Sequence, residues 1–199
     1  MLFRSERAVR EIVAKHGAKG ILVVAGFCGG LSSQVSIGDI VLVERARTPL
    51  SLPNEIIADS LLLKAVESVP QDAVKLHKGR MVSVPKVLVR VEEKSLCRQQ
   101  TDAIAVDMET FGAVRVAEEL GLRWIALRVV TDAYDEPLPL DFNAFADAEG
   151  NPSRAKIALA VLTKPFLIPK LIRLGGASAS GAKRLQKALI PLMRTLSEL

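Results

Sequence analysis

Aromatic residues are scarce in this chain of 199 residues, and cysteine and histidine are scarcer. Aromatics make up 4%, with one Trp and one Tyr. Surfaces that stack on exposed bases need such rings, so no nucleic-acid partner is expected. The two cysteines, Cys28 and Cys97, lie far apart. They form neither a metal pair nor a disulfide framework, which fits a reduced cytoplasm and no bound metal. The two histidines, His16 and His77, have no companion at ligand or triad spacing and read as solvated or structural. No apolar run is long enough for a membrane span, because glycines, serines and a glutamine interrupt the longest uncharged stretch, Gly20 to Gly38. The start, Met1 to Arg7, is charged at once and has no apolar signal core, so a cytoplasmic location is expected. What remains is a globular composition, 49% hydrophobic and 25% charged. That excludes a disordered or collagen-like chain and suits one domain over residues 1–199.

The net charge of +5 hides an asymmetry. Residues 1–150 hold 18 Lys/Arg against 21 Asp/Glu, whereas residues 151–199 hold 9 against 1. Residues 155–199 read as a basic helical extension. Such a tail can sit on anionic lipid, on nucleic acid or on the acidic body, and Phe166 is its single aromatic.

Along the chain, strand patterns alternate with helical ones. Residues 5–17 carry apolar residues at helical spacing, with Gly17 as a stop. Ile21 to Phe27 is continuously apolar and suits a strand buried on both faces. Ile40 to Val43, Ala103 to Val106 and Trp124 to Val130 read as further strands. Met81 to Val91 is β-rich, with Pro85 marking a bulge or edge. Ile56 to Val69 and Met108 to Leu120 read as helices, the second closed by Gly121. Residues 134–153 form a loop. Within it Asp141, Asn143, Asp147 and Glu149 lack the glycine and register of a calcium loop and read as solvated. Helical patterns over Lys156 to Leu174 and Ala182 to Leu196 flank a small, polar break, Gly175 to Gly181. The alternation predicts an α/β fold with helices on both faces of a sheet.

Three segments could carry chemistry. Gly26-Phe27-Cys28-Gly29-Gly30 follows a strand, where glycines let backbone amides approach an anion or a sugar, or simply make a tight turn. Cys28 within it reads as a small buried hydrophobe. In Val106-Asp107-Met108-Glu109, Asp107 suits a helix N-cap. Glu109 heads the apolar stripe of its helix (113, 116, 117, 120), so it needs a hydrogen-bonding partner, and sugar hydroxyls are suitable donors. Thr131-Asp132 ends a strand, the place where open α/β sheets bind ligands, and Asp132 is there a loop cap or a site acid. Arg128, within an apolar strand, must pair with a nearby Asp or Glu if buried.

Taken in order, Gly26–Leu31, Ile37–Val41, Asp107–Glu109 and Leu127–Asp132 resemble the purine nucleoside phosphorylase and nucleosidase superfamily. The resemblance covers most of residues 5–135. Val106–Glu109, Leu138–Asp141 and Lys164–Leu174 look like the branch associated with hopanoid biosynthesis, which acts on a nucleoside joined to a triterpenoid lipid. The resemblance implies a three-layer fold, a central mixed β-sheet flanked by helices. It implies cleavage of the N-glycosidic bond of an adenosine-type nucleoside by a homodimer, with no cofactor and with phosphate allowed as a co-substrate. Carried onto this sequence, it sets Gly26, Cys28, Gly29, Gly30 and Val84 beside the substrate. Met108 would pack on the sugar, Glu109 would hold its hydroxyls, and Asp132 would protonate or hydrogen-bond N7 of the purine. Asp132 must then be protonated when substrate binds, so burial is expected to raise its pKa.

Two departures stand out. Relatives often carry Ser or Thr where Phe27 stands. They also open with a strand bearing a nucleophile-handling Glu or Arg and a hairpin, whereas this chain opens at the helix that follows. The resemblance thus implies a truncated sheet with an exposed edge. A methylthioadenosine or adenosylhomocysteine nucleosidase is the runner-up, and a non-catalytic relative that only binds ligand is the competing class. The tail poses a parallel choice. Phe166, Leu167, Ile168, Leu171, Ile172 and Leu174 alternate with Lys164, Lys170 and Arg173. Leu185, Leu189, Leu192, Met193 and Leu196 continue as a helical stripe. Either these pack on the body, or part of this surface meets a membrane peripherally.

Overall fold

The computed structural model describes residues 2–49, 55–68, 75–145, 153 and 165–197. Among them, in chain order, are α1 (Leu2–His16), β1 (Ile21–Gly30), β2 (Ile40–Arg47), β3 (Ile56–Ile57), α2 (Ser60–Ser68), β4 (Leu76–Ser83), α3 (Val91–Thr101), β5 (Ala105–Asp107), α4 (Thr110–Glu119), β6 (Arg123–Asp132) and α5 (Ile168–Leu196). The strands form one mixed sheet in the order β3-β2-β4-β5-β1-β6, and β6 also returns to pair with β2. The sheet therefore curls on itself. β6 lies parallel to β1 over almost its whole length and antiparallel to β2 through Val129↔Ile40 to Leu127↔Leu42.

Side chains alternate across β1, and the two sets meet different helices. Leu22 and Val24 pack with Val9, Ala113 and Val116 of α1 and α4. Ile21 and Val23 face a groove shared with Met193 and Leu196 of α5. α2 joins α5 in the main core, where Leu62, Leu63 and Val66 cluster with Leu185, Ala188 and Leu192. This is the expected central sheet flanked by helices. β6 is buried almost throughout, and β2 is buried over Ile40–Val43 and at Ala46. β1 is not: Ile21 to Val24 are half-buried and Phe27 is exposed. It pairs with β5 only at Gly29 and Gly30, so the edge of Ile21–Cys28 away from β6 meets no strand among the described residues.

Local chemistry corrects several expected boundaries. Ile56 and Ile57 are not helical; they pair with Ala46 and Arg45 as β3. The helix begins only after Asp59, whose Oδ1 accepts from the backbone N–H of Leu61 and Leu62, at 2.8 and 3.2 Å. Val69 lies outside the described residues. β4 ends at Ser83, before Pro85, and residues 84–90 carry no strand. The next element, α3, has no apolar stripe in sequence. Its first turn is set by Glu93, which accepts from the backbone N–H of Val89 and Arg90, both at 3.0 Å. α4 closes at Gly121, whose φ of 67° suits glycine.

The break expected at Gly175–Gly181 is absent, because α5 runs unbroken through it. Small residues keep helical hydrogen bonding where the helix must pass close to the sheet. A Cβ on Gly181 would come within 3.1 Å of Val129 Cγ2. Downstream of Gly181, α5 buries Leu185, Ala188, Leu192 and Leu196; upstream, from Ile168 to Ser180, it buries none. The helical pattern expected over 156–164 lies outside the described residues. Among the described residues no helix is long and apolar enough to cross a membrane.

Candidate active site

β6 sends two charged side chains towards β1, and each meets a glycine. Arg128 pairs in register with Gly26, and Asp132 with Gly29. The second match depends on a register shift between Cys28 and Gly29. Such a bulge re-aims one strand against its neighbour. The space is required in both places. A Cβ on Gly26 would lie 2.3 Å from Arg128 Nη1, and one on Gly29 would lie 2.9 Å from Asp132 Oδ2. These glycines are therefore not a turn beyond the strand, as one sequence reading had them. They are its last residues, and they leave room for the charges opposite.

Arg128 is buried and paired, as its position in an apolar strand requires. Its Nη2 lies 3.0 Å from Asp107 Oδ2, and its Nε donates to Thr110 Oγ1 at 2.9 Å. Asp107 also accepts from Ser83 Oγ at 2.5 Å, from the Thr110 hydroxyl, and from the backbone N–H of Glu109 and Thr110. Asp107 is not the N-cap expected: it ends β5, the N-cap position falls to Glu109, and Asp107 holds the start of α4 from two residues ahead while joining β4, β5 and β6 through one carboxylate.

Glu109 sits at the N-cap position of α4, 3.9 Å from Arg128 Nη1. It does not enter the apolar interior. Its side chain is 38% exposed and opens onto a cavity. Burial, then the nearby Asp107 charge, push its carboxyl above the usual carboxylate range, and Arg128 opposes them. Asp132 is also different from the isolated buried acid expected. Lys94, fully buried on α3, places Nζ 2.6 Å from Asp132 Oδ2. The Asp132 carboxyl therefore faces a cation, not an apolar wall.

The cavity, of about 180 Å³, lies among the ends of β1, β5 and β6, the segment after β4 and the residues just ahead of α4. Cys28, Gly29, Val84, Met108, Glu109 and Asp132 all line it. Gly26 and Gly30 do not; Gly26 borders a groove against α5, and Gly30 is buried behind Asp132. Burial, with the Asp107 charge second, pushes the Cys28 thiol well up, which suits a small apolar wall and not a nucleophile. Phe27 also lines the cavity. His77 is structural, its Nε2 2.9 Å from Asp39 Oδ2. Asp141 accepts from Asn143, while Asp147 and Glu149 lie outside the described residues.

Sequence reasoning missed Lys94. The signal was present but inverted: Lys94, Cys97 and Thr101 form the buried face of α3. Two of the three are polar, so no hydrophobic period marks the helix.

A sequence profile described as the phosphorylase superfamily matches residues 5–163. The chain is similar to the DeoD-type purine nucleoside phosphorylase of Buchnera aphidicola subsp. Baizongia pistaciae, 24% identical over 152 residues. The match takes in 72% of this chain and 62% of that protein, so the chain spans under two thirds of this relative's length. In structure it is similar to the futalosine hydrolase of Helicobacter pylori strain 26695 (TM-score 0.72, 16% identity, 98% of this chain and 75% of that one). It is also similar to the 5'-methylthioadenosine/S-adenosylhomocysteine nucleosidase of Colwellia psychrerythraea in complex with adenine (TM-score 0.72, 14% identity, 96% and 73%).

The polar core of the site yields a stability prediction. Arg128→Met keeps the bulk but leaves the Asp107 carboxylate without its cation. The unfolding free energy should fall by about 3–5 kcal/mol, the usual cost of breaking a buried pair. Denaturant unfolding measures it, and a loss under 1 kcal/mol would contradict the assignment of this pair as the site's anchor.

Proposed function

This chain belongs to the phosphorylase superfamily, and on that premise we propose that it cleaves the N-glycosidic bond of a purine nucleoside, an adenosine-type substrate, releasing adenine. The observation that carries the reading is the meeting of Glu109, Met108, Gly29 and Asp132 in one cavity. Breaking the bond leaves positive charge on the sugar and negative charge on the departing base. Glu109 accepts the ribose hydroxyls and its carboxylate offsets the first charge. Met108 packs on the sugar. Asp132 gives N7 a proton and removes the second charge. Water or phosphate attacks the anomeric carbon.

In its finer form the reading takes a lipid-linked, hopanoid-type adenosine as substrate. A second cavity of about 480 Å³ supports it, sharing Thr131, Asp132 and Leu138 with the first and walled by Ile37, Pro169 and Leu174. So does the half of α5 that leaves the core, where Ile168 and Ile172 are exposed beside Lys170 and Arg173, just after an exposed Phe166. This surface would touch the inner membrane peripherally. The alternative is a methylthioadenosine or adenosylhomocysteine nucleosidase, the activity named for the Colwellia structure that this chain resembles in fold. A homodimer belongs to the same proposal, supported by the apolar groove of Phe27, Leu189, Ile190 and Met193.

The central test is Asp132→Asn, which keeps the shape and removes the acid. Adenine release should slow by roughly 10²–10⁴-fold; unchanged release takes Asp132 out of the mechanism. Glu109→Gln should weaken nucleosides while sparing adenine, which has no sugar, and calorimetry with both ligands decides. Because the Glu109 carboxyl is raised, its charged form is lost on acidification earlier than that of a free glutamate. Nucleoside affinity should therefore fall as pH drops through the range just above the ordinary carboxylate value, and Glu109→Gln should abolish that dependence. For the lipid form, the protein should co-sediment with anionic vesicles at low salt and release at high salt, each basic residue adding about 1 kcal/mol. Lys170→Glu and Arg173→Glu, with Lys164→Glu outside the described residues, should abolish it. No sedimentation at low salt leaves the soluble nucleoside as substrate.

A further inference from the structure

Lysine is almost never fully buried unless paired. Lys94 is 1% exposed. Its Nζ donates to Asp132 Oδ2 at 2.6 Å, to the carbonyl oxygen of Ala133 at 2.5 Å and to that of Glu136 at 3.0 Å. An ammonium has three donors, and all three are used. Among the described residues Lys94 is the only cation within 4.0 Å of Asp132.

The arrangement has a direction. Oδ2 is held by Lys94, whereas among the described residues Oδ1 accepts only from the Thr131 hydroxyl, at 3.3 Å. The same ammonium grips the loop that follows β6, and the Leu138 backbone N–H on that loop donates to Val89 O, just ahead of α3, at 2.9 Å. Leu138 lines both cavities. One side chain thus sets the orientation of the carboxyl and the position of the wall beside it.

We propose that Lys94 is a positioning residue that presents Oδ1 of Asp132 to the purine and stabilises the carboxylate left after proton delivery. The identity of what Oδ1 meets rests on the purine-nucleoside reading; the hold on Asp132 does not. In the step, Oδ1 takes a proton from solvent through the open cavity and passes it on, so that the Oδ1–H bond breaks as an N7–H bond forms and the carboxylate paired with Lys94 is restored. The electron pair of the bond between sugar and base passes to the base. The new negative charge on Asp132 lies beside a fixed ammonium, already in place before the reaction, where it favours the charge as it develops.

Two measurements on the full chain test this. The first needs no ligand: lysine side-chain NMR should find one ammonium protected from exchange. That signal should vanish in Lys94→Met and shift or lose protection in Asp132→Asn. An unchanged signal in Asp132→Asn overturns the proposal, because a lysine that only ties down loop carbonyls would not respond. The second is kinetic, with adenosine as substrate. Lys94→Met should lower kcat at least tenfold with KM changed less than threefold, and Lys94→Arg should recover part of the loss. A fall confined to thermal stability, with kcat intact, also overturns it. If the wild-type chain releases no adenine, the purine reading fails, and the NMR result alone decides the hold of Lys94 on Asp132.

Discussion

The buried pair of Arg128 and Asp107 is the interaction on which the site depends. A guanidinium in the otherwise apolar run Trp124–Val130 of β6 has to be matched, and Asp107 matches it at 3.0 Å. Asp107 in turn collects Ser83, Thr110 and two backbone N–H groups, so β4, β5, β6 and the start of α4 are held at one point. Glu109 inherits its place from that point. It stands at the N-cap of α4, where Asp107 accepts from its backbone N–H and from that of Thr110, and it borders the cavity because the helix begins there.

The second constraint is room. β1 and β6 run parallel, and cross-strand neighbours compete for the same space. Arg128 and Asp132 fit only because Gly26 and Gly29 stand opposite them, the second through a one-residue shift in register. Glycine weakens a strand, and β1 is accordingly the least buried of the long strands, with Phe27 exposed and one edge unpaired over Ile21–Cys28 among the described residues. The site and the weak strand are consequences of the same residues.

Much of this was legible in the chain because it is local. Asp107 just ahead of a helix, Glu109 at its head, Arg128 as a charge in need of a partner and Asp132 at the end of a strand each follow from spacing and residue type. The alternation of β and α patterns, and the order in which the motifs occur, pointed to the fold. Local reading failed where the pattern was weak or mixed. Ile56 and Ile57 look like the start of a helix until β2 offers them a ladder. The small residues Gly175–Gly181 look like a break until the close approach to Val129 explains the last of them.

The sequence by itself determined which residues carry charge into an apolar run, that a helix follows Asp107, and that the run of β6 is apolar enough to be buried; it misplaced the start of that helix by two residues and overrated the burial of β1. Those properties depend on neighbours a few positions away. Only the tertiary structure decided what each charge meets. Arg128 and Asp107 are separated by β6 and α4, and Lys94 and Asp132 by 38 residues, yet they end 3.0 and 2.6 Å apart. The strand order sets the first pair one strand apart, across Gly26 of β1, and α3, a helix with no hydrophobic period, brings the second together. Such partners are set by the path of the whole chain, because a buried charge is stabilised by whatever the fold places within hydrogen-bonding distance.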